Sequence, residues 1–183
     1  MSILLTHAYY LYEDAVEQTI MKPYVPLGIL YISAYLNKNH IENQVFDSTF
    51  SSKENQLDFI EKTQPKIVAI YTNLMTKINV IKLVKTLKTE EKYGFPKLVL
   101  GGPDITFNSE NYLNIGADFL VIGEGEETML ELYQTIIKDG NYSTVNGIAY
   151  LENDSVKKTT ERKKIKDLSE LPLPNREATV SYT

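Results

Sequence analysis

Twice in close succession the chain runs from apolar side chains straight into a glycine turn. Leu98, Val99 and Leu100 lead into Gly101, Gly102, Pro103 and Asp104, and Phe119, Leu120, Val121 and Ile122 lead into Gly123, Glu124, Gly125 and Glu126. Continuous apolar runs of this length are expected of strands covered on both faces, as in a parallel sheet. Such strands lie side by side with their carboxyl ends along one edge, and in open α/β sheets ligands sit at that edge. Glycines there lack Cβ atoms and let a flat or bulky group approach the backbone, although tight turns alone would also call for them.

The rest of the chain alternates strand and helix around these two turns. Ile3 to Leu5 is a first strand, followed by a tyrosine-rich loop through Tyr9, Tyr10, Tyr12 and Tyr24. Pro26 suits the first helical position, with Leu27, Leu30, Tyr31 and Ala34 on one face of a helix ending near Asn39. Asn43 to Asp47 is the second strand, and Ser48, Ser51 and Ser52 lead into a helix that stops before Pro65. Ile67 to Tyr71 is the third strand, and a polar turn from Thr72 to Thr76 precedes a helix carrying Ile81, Val84 and Leu87. After the fourth and fifth strands, Met129, Leu130, Leu132, Tyr133 and Ile136 give a helix that Gly140 can close. Five strands with intervening helices make an α/β, doubly wound, five-stranded parallel sheet, since right-handed crossovers place helices on both faces.

This core is expected to span residues 1–140. A β-hairpin extension follows over 141–160, with Ile148 to Leu151 and Val156 to Thr160 flanking a turn at Glu152 to Ser155. Residues 161–183, with Leu171, Pro172, Leu173 and Pro174, read as a linker.

Composition narrows the function classes. With 183 residues and a formal charge of −5, the chain has the length for one domain plus a tail and lacks the cationic balance of a nucleic-acid binder. No run approaches a membrane span and no signal core opens the chain, which points to a cytoplasmic location. The absence of cysteine excludes disulfides, thiolate zinc sites and cysteine-ligated clusters within these residues. Nucleotide motifs fit poorly. Gly123 to Glu127 begins like a dinucleotide fingerprint, but Thr128 replaces the third glycine and three carboxylates would repel a pyrophosphate. Glu126 and Glu127 suit the first turn of a helix, whose positive end they complement.

Taken together and in order, these signals resemble the N-terminal cobalamin-binding domain of radical S-adenosylmethionine enzymes. That group contains the anaerobic magnesium-protoporphyrin ester cyclase and various methylases. The resemblance rests on Pro26, Leu27 and Gly28, on Asp47, on Leu100 to Asp104, on Gly123 to Glu127, on Asn146 to Ala149 and on Leu171 to Pro174. It implies a flavodoxin-like (Rossmann-like) sheet with the corrin of cobalamin over the strands' carboxyl ends. Thr72, Asn73 and Leu74 match a Ser/Thr-x-Leu pattern that, with the Gly101 and Gly102 pair, surrounds the nucleotide tail in related domains. Thr72 and Asn73 also suit a helix cap. The cofactor-binding set implied is His7, Tyr9, Tyr10, Asp47, Ser48, Thr72, Asn73, Leu74, Met75, Gly101, Gly102, Pro103, Asp104, Gly123, Glu124, Gly125 and Glu126.

The chain departs from the cobalt-binding motif of classical cobalamin domains, which has Asp two residues before the ligating His and Gly three after it. Leu5 and Tyr10 occupy those positions around His7, and Lys38 and Asn43 occupy them around His40. Cobalamin is therefore expected base-off, without a protein imidazole on cobalt. The resemblance further implies a partner radical domain on the same polypeptide, holding S-adenosylmethionine and the [4Fe-4S] cluster. The fragment itself is expected to be non-catalytic. Two other readings stand beside this one: the same fold without cobalamin, as a docking or substrate-orienting module, and a flavin or signalling domain.

Overall fold

The computed structural model of the chain describes residues 2–13, 15–20, 23 and 25–180; Tyr24 of the tyrosine-rich loop and residues 181–183 lie outside them. Seven strands form one sheet: β1 (Ile3–His7), β2 (Asn43–Phe46), β3 (Ile67–Tyr71), β4 (Lys97–Gly101), β5 (Phe119–Val121), β6 (Ile148–Glu152) and β7 (Ser155–Lys158). Their order is β2-β1-β3-β4-β5-β6-β7. The first five are parallel, and β6 and β7 add an antiparallel hairpin at the edge. The fold is therefore the flavodoxin-like α/β sheet with a C-terminal hairpin. Asn153 and Asp154, at φ of 51° and 61°, turn that hairpin in the left-handed conformation that follows the twist of paired strands.

Of the helices, α1 (Glu17–Ile20) is a single turn, and α2 (Leu27–Lys38) and α7 (Glu126–Ile137) cover one sheet face with Ile3, Leu5, Ile67, Val99 and Val121 beneath. α3 (Lys53–Thr63), α4 (Lys77–Thr89), α5 (Pro103–Phe107) and α6 (Ser109–Asn114) contribute to the other face, over Leu4, Val68, Ile70, Leu98 and Leu100. Adjacent residues along β1, β3, β4 and β5 thus serve opposite cores, which explains their apolar runs. No helix among the described residues is long and apolar enough to cross a membrane.

Two local expectations need correction. The buried face of α2 carries Ile29, Leu30, Ser33, Ala34 and Leu36, whereas Leu27 is exposed and Tyr31 only partly covered. Helix α7 ends through Asp139, whose φ of 49° takes the left-handed position expected of Gly140. Ser52 caps α3 as its side chain accepts from Asn55 N–H at 3.2 Å.

The segment after the hairpin runs back along the protein. Arg162 inserts between Glu127 and Glu131 of α7, and Asn175 N–H donates to Leu30 O of α2 at 3.1 Å.

Candidate functional site

The strand order reverses direction between β1 and β3, the place where open α/β sheets leave a crevice beyond their carboxyl ends. A cavity of about 360 Å³ lies there, lined by His7 and Tyr9 after β1, Thr49 after β2, Tyr71, Asn73, Met75 and Thr76 after β3, and Val25 to Ile29 at the start of α2. A second cavity, of about 250 Å³, adjoins it and shares Gly28, Ile29 and Tyr71 in its wall. This one descends between the sheet and two helices: Leu5, Ala69 and Val99 form its floor, Ile32 and Met129 its far side, and Gly101, Gly102 and Gly123 to Glu126 its rim. The floor residues are in register across β1, β3 and β4, so they present one apolar row to α2 and α7. The result is a narrow apolar slot beside a wider chamber that has a few polar groups.

The glycines at this edge do different work. At Gly28 and Gly123 a Cβ would meet nothing within 4 Å, and at Gly101 only Val121 at 4.0 Å. Gly28 stands in the first turn of α2 and borders both cavities, so the missing side chain keeps the space they share open. Gly102 differs: its φ is +115° and a Cβ would fall 2.2 Å from Thr72 O, so it serves contact between two backbones. A Cβ on Gly125 would strike Ile32 Cδ1 at 2.7 Å, so this glycine lets α7 approach α2.

His7 is buried at the end of β1. The Thr6 to Phe46 register brings it beside Asp47, and its Nε2 lies 3.0 Å from Asp47 Oδ1. Tyr9 N–H donates to Nδ1 at 3.2 Å, and Ser48 Oγ lies 2.9 Å from the same nitrogen. An N–H directed at Nδ1 requires a lone pair there, so the ring proton resides on Nε2 and is donated to Asp47. Asp47 Oδ1 also accepts from Thr49 N–H at 3.1 Å, and Oδ2 from Thr179 Oγ1. Both imidazole nitrogens thus have partners inside the protein, and the ring forms part of the chamber wall. His40 sits exposed beyond the far end of α2.

Most of the remaining predicted residues converge on this edge. Tyr9, Asn73 and Met75 line the chamber, and Gly101, Gly102, Gly123, Glu124, Gly125 and Glu126 line the slot. Asn73 also caps the turn into α4, its Oδ1 accepting from Thr76 N–H at 2.9 Å while its own N–H donates to Thr76 Oγ1 at 3.1 Å. Thr72 is buried beneath Gly102 and donates its N–H to Gly101 O at 2.7 Å. Leu74 projects from the same turn, 78% exposed.

Three predicted residues face elsewhere. Tyr10 turns into the opposite core and donates its hydroxyl to Gln56 Oε1; burial, then the charge of Glu13, pushes this phenol well above its usual value. Pro103 opens α5, and Asp104 beside it accepts from Tyr112 Oη at 2.6 Å and pairs with Lys77 at 3.2 Å. Burial alone would raise the Asp104 carboxyl, but the hydrogen bonds from Tyr112 and Lys77 and the lysine charge hold it below its ordinary range.

Two carboxylates of the acidic turn are tied to the segment that follows the hairpin. Glu124 Oε2 accepts Ile165 N–H at 2.7 Å, and Glu127 pairs with Arg162 at 2.9 Å. Sequence reasoning missed Arg162, Thr49, Tyr71 and the part of α2 from Leu27 to Ile32 that walls both cavities. Gly28 was the available signal, as a glycine inside a helical pattern.

Comparison with known proteins assigns the class. Residues 15–133 match the profile of the B12 binding domain, and the chain belongs to that family. It is 28% identical over 169 residues to an uncharacterised methyltransferase, PH0819, of Pyrococcus horikoshii, covering 89% of this chain and 36% of that protein. Among solved structures, the cobalamin-dependent S-adenosylmethionine radical enzyme OxsB with aqua-cobalamin bound matches with a TM-score of 0.81 at 20% identity, over 95% of this chain and 24% of OxsB. The radical S-adenosylmethionine methyltransferase TsrM from Kitasatospora setae, with cobalamin and a [4Fe-4S] cluster bound, matches with a TM-score of 0.63 at 15% identity, over 87% of this chain and 30% of TsrM. The chain therefore spans about a third of the curated relative it matches.

Proposed function

We propose that this chain is the cobalamin-binding domain of a radical S-adenosylmethionine enzyme and holds the cofactor base-off, with no protein imidazole on cobalt. The observation that carries the reading is the pair of adjoining cavities at the carboxyl edge, bordered by Gly28, Gly101 and Gly123, whose Cβ positions are open. A tetrapyrrole-like disc with a pendant nucleotide base needs both a broad face and a narrow apolar slot. In this reading the base enters the slot over Leu5, Ala69 and Val99, and the macrocycle lies over the chamber walled by His7, Tyr9 and Tyr71.

The axial assignment follows from His7. The imidazole donates from Nε2 to Asp47 and its one ring-nitrogen lone pair, on Nδ1, is engaged by the Tyr9 N–H instead of facing cobalt, and His40 is far from the edge. Bound cobalamin supplies methyl-group or one-electron chemistry, while the protein contributes position and a dry wall. The partner is a radical domain of the same polypeptide, and the parent reaction is methyl transfer or ring formation; the radical chemistry and methyltransferase names of OxsB, TsrM and PH0819 support this. The alternative, a cofactor-free docking module, calls for a filled carboxyl edge, and open cavities of about 360 and 250 Å³ weigh against it.

Gel filtration of the purified chain with hydroxocobalamin tests the proposal. The expected result is co-elution of the corrin absorbance with the protein at about one to one. A folded chain that elutes free of corrin would overturn it.

A further inference from the structure

We propose that the segment from Arg162 to Thr179 is a strap that sets the affinity of the site, with Asn175 and Thr179 as its positioning residues; the inference rests on the cobalamin-binding reading above. Helix α2 is the helix that walls both cavities, beside strands β1 and β3, through Leu27, Gly28 and Ile29 in the chamber and Gly28, Ile29 and Ile32 in the slot. The strap crosses the outside of this helix and is fixed at both ends to the site's own carboxylates.

At its start, Arg162 is buried against α7, its Nε donating to Thr128 Oγ1 at 2.7 Å and its guanidinium pairing with Glu127 and Glu131. Ile165 N–H then donates to Glu124 Oε2 at 2.7 Å, which draws a rim residue of the slot into the strap. Along α2, Lys38 Nζ donates to Glu170 O at 2.8 Å, and Asn175 uses both backbone and side chain. Its N–H donates to Leu30 O at 3.1 Å, and its Nδ2 to Ser33 Oγ at 2.9 Å, which in turn donates to Asn43 Oδ1 at 2.7 Å. Ser33 is fully buried with the strap in place, so this chain of hydrogen bonds joins strap, helix and β2. At its end, Thr179 Oγ1 donates to Asp47 Oδ2, the carboxylate whose other oxygen receives His7.

A ligand that requires α2 at this distance from the sheet, and a strap that holds α2 there, favour the same arrangement. Each then strengthens the other by the same factor. Lys163, Lys164, Lys166 and Arg176 are exposed along the strap and offer cleavage sites that report whether it is docked.

The test uses the whole chain with Asn175→Ala and Thr179→Val, made singly, and Leu173→Ala as a control at a strap position 88% exposed. Each protein is titrated with hydroxocobalamin by visible absorbance, and each is digested with trypsin with and without the corrin. The expected result is affinity weakened by about fivefold or more in Asn175→Ala and Thr179→Val, a coupling of the usual size for linked sites, and unchanged in Leu173→Ala. Hydroxocobalamin should also slow cleavage of the wild-type strap. If one variant fails to fold, the other and the protection experiment decide. Wild-type binding with equal affinity in both variants and no protection overturns the strap alone. No binding by the wild type overturns the cobalamin reading and the strap with it.

Discussion

The Cβ that Gly102 lacks would fall 2.2 Å from the carbonyl oxygen of Thr72, so the turn after β4 is closed against the turn after β3 by direct contact of two backbones. Neither backbone can yield as a flexible side chain would, and Gly102 also holds a φ of +115°. Gly102→Ala should therefore lose about 2 to 4 kcal/mol, the range of strain combined with overpacking. Gly101→Ala, with only Val121 at 4.0 Å, should stay within about 1 kcal/mol of wild type. Urea denaturation of the two variants measures the difference.

Gly28 separates stability from binding. It lies in the first turn of α2, where alanine is a better helix former, and nothing lies within 4 Å of where a Cβ would stand. Gly28→Ala should raise stability by up to about 1 kcal/mol. Gly28→Leu should fold equally well but weaken hydroxocobalamin binding about tenfold or more, because its side chain enters the space shared by both cavities. Thermal melts and a visible titration provide the two readings.

His7→Gln asks what the histidine is for. The Asp47 side chain is 1% exposed, and removal of the imidazole takes away one of its hydrogen-bond donors. A loss of about 1 to 3 kcal/mol is expected, since the amide replaces the donor imperfectly at a buried charge. The visible spectrum of bound cobalamin should be the same in variant and wild type.

Tyr112→Phe gives a pH signature. Asp104 is depressed in the folded chain, so its contribution to stability is complete above its unfolded value of ~3.9 and is lost as pH falls through the folded value. Removal of the Tyr112 hydroxyl, 2.6 Å from Oδ2, returns the folded value toward the unfolded one. The variant should be less stable by about 1 to 2 kcal/mol at pH 7, with a smaller gap where Asp104 is protonated in both states. Urea midpoints at neutral and acid pH test this.

The central strands β1, β3, β4 and β5 were legible because they bury both faces, which leaves runs such as Leu98 to Leu100 with no polar interruption. The glycine turns were legible as a site edge, but their separate roles were not: only a neighbouring backbone distinguishes Gly102, pressed on Thr72, from Gly123, which faces open space. The inward face of α2 was misread because it buries Ser33, bonded to Asn43 and Asn175, while Leu27 is left at the chamber wall. Contacts of the segment after residue 160 escaped notice for a related reason. Arg162 finds its partners more than thirty residues away, and the bonds from Ile165 and Asn175 to Glu124 and Leu30 use backbone N–H groups, which carry no sequence signal.

Electron paramagnetic resonance of cob(II)alamin bound to the chain tests the central claim most directly, because the unpaired electron on cobalt reports an axial nitrogen by splitting. The account predicts stoichiometric binding with a base-off spectrum free of nitrogen splitting, unchanged in His7→Gln. A nitrogen triplet in the wild type that disappears in His7→Gln would contradict it.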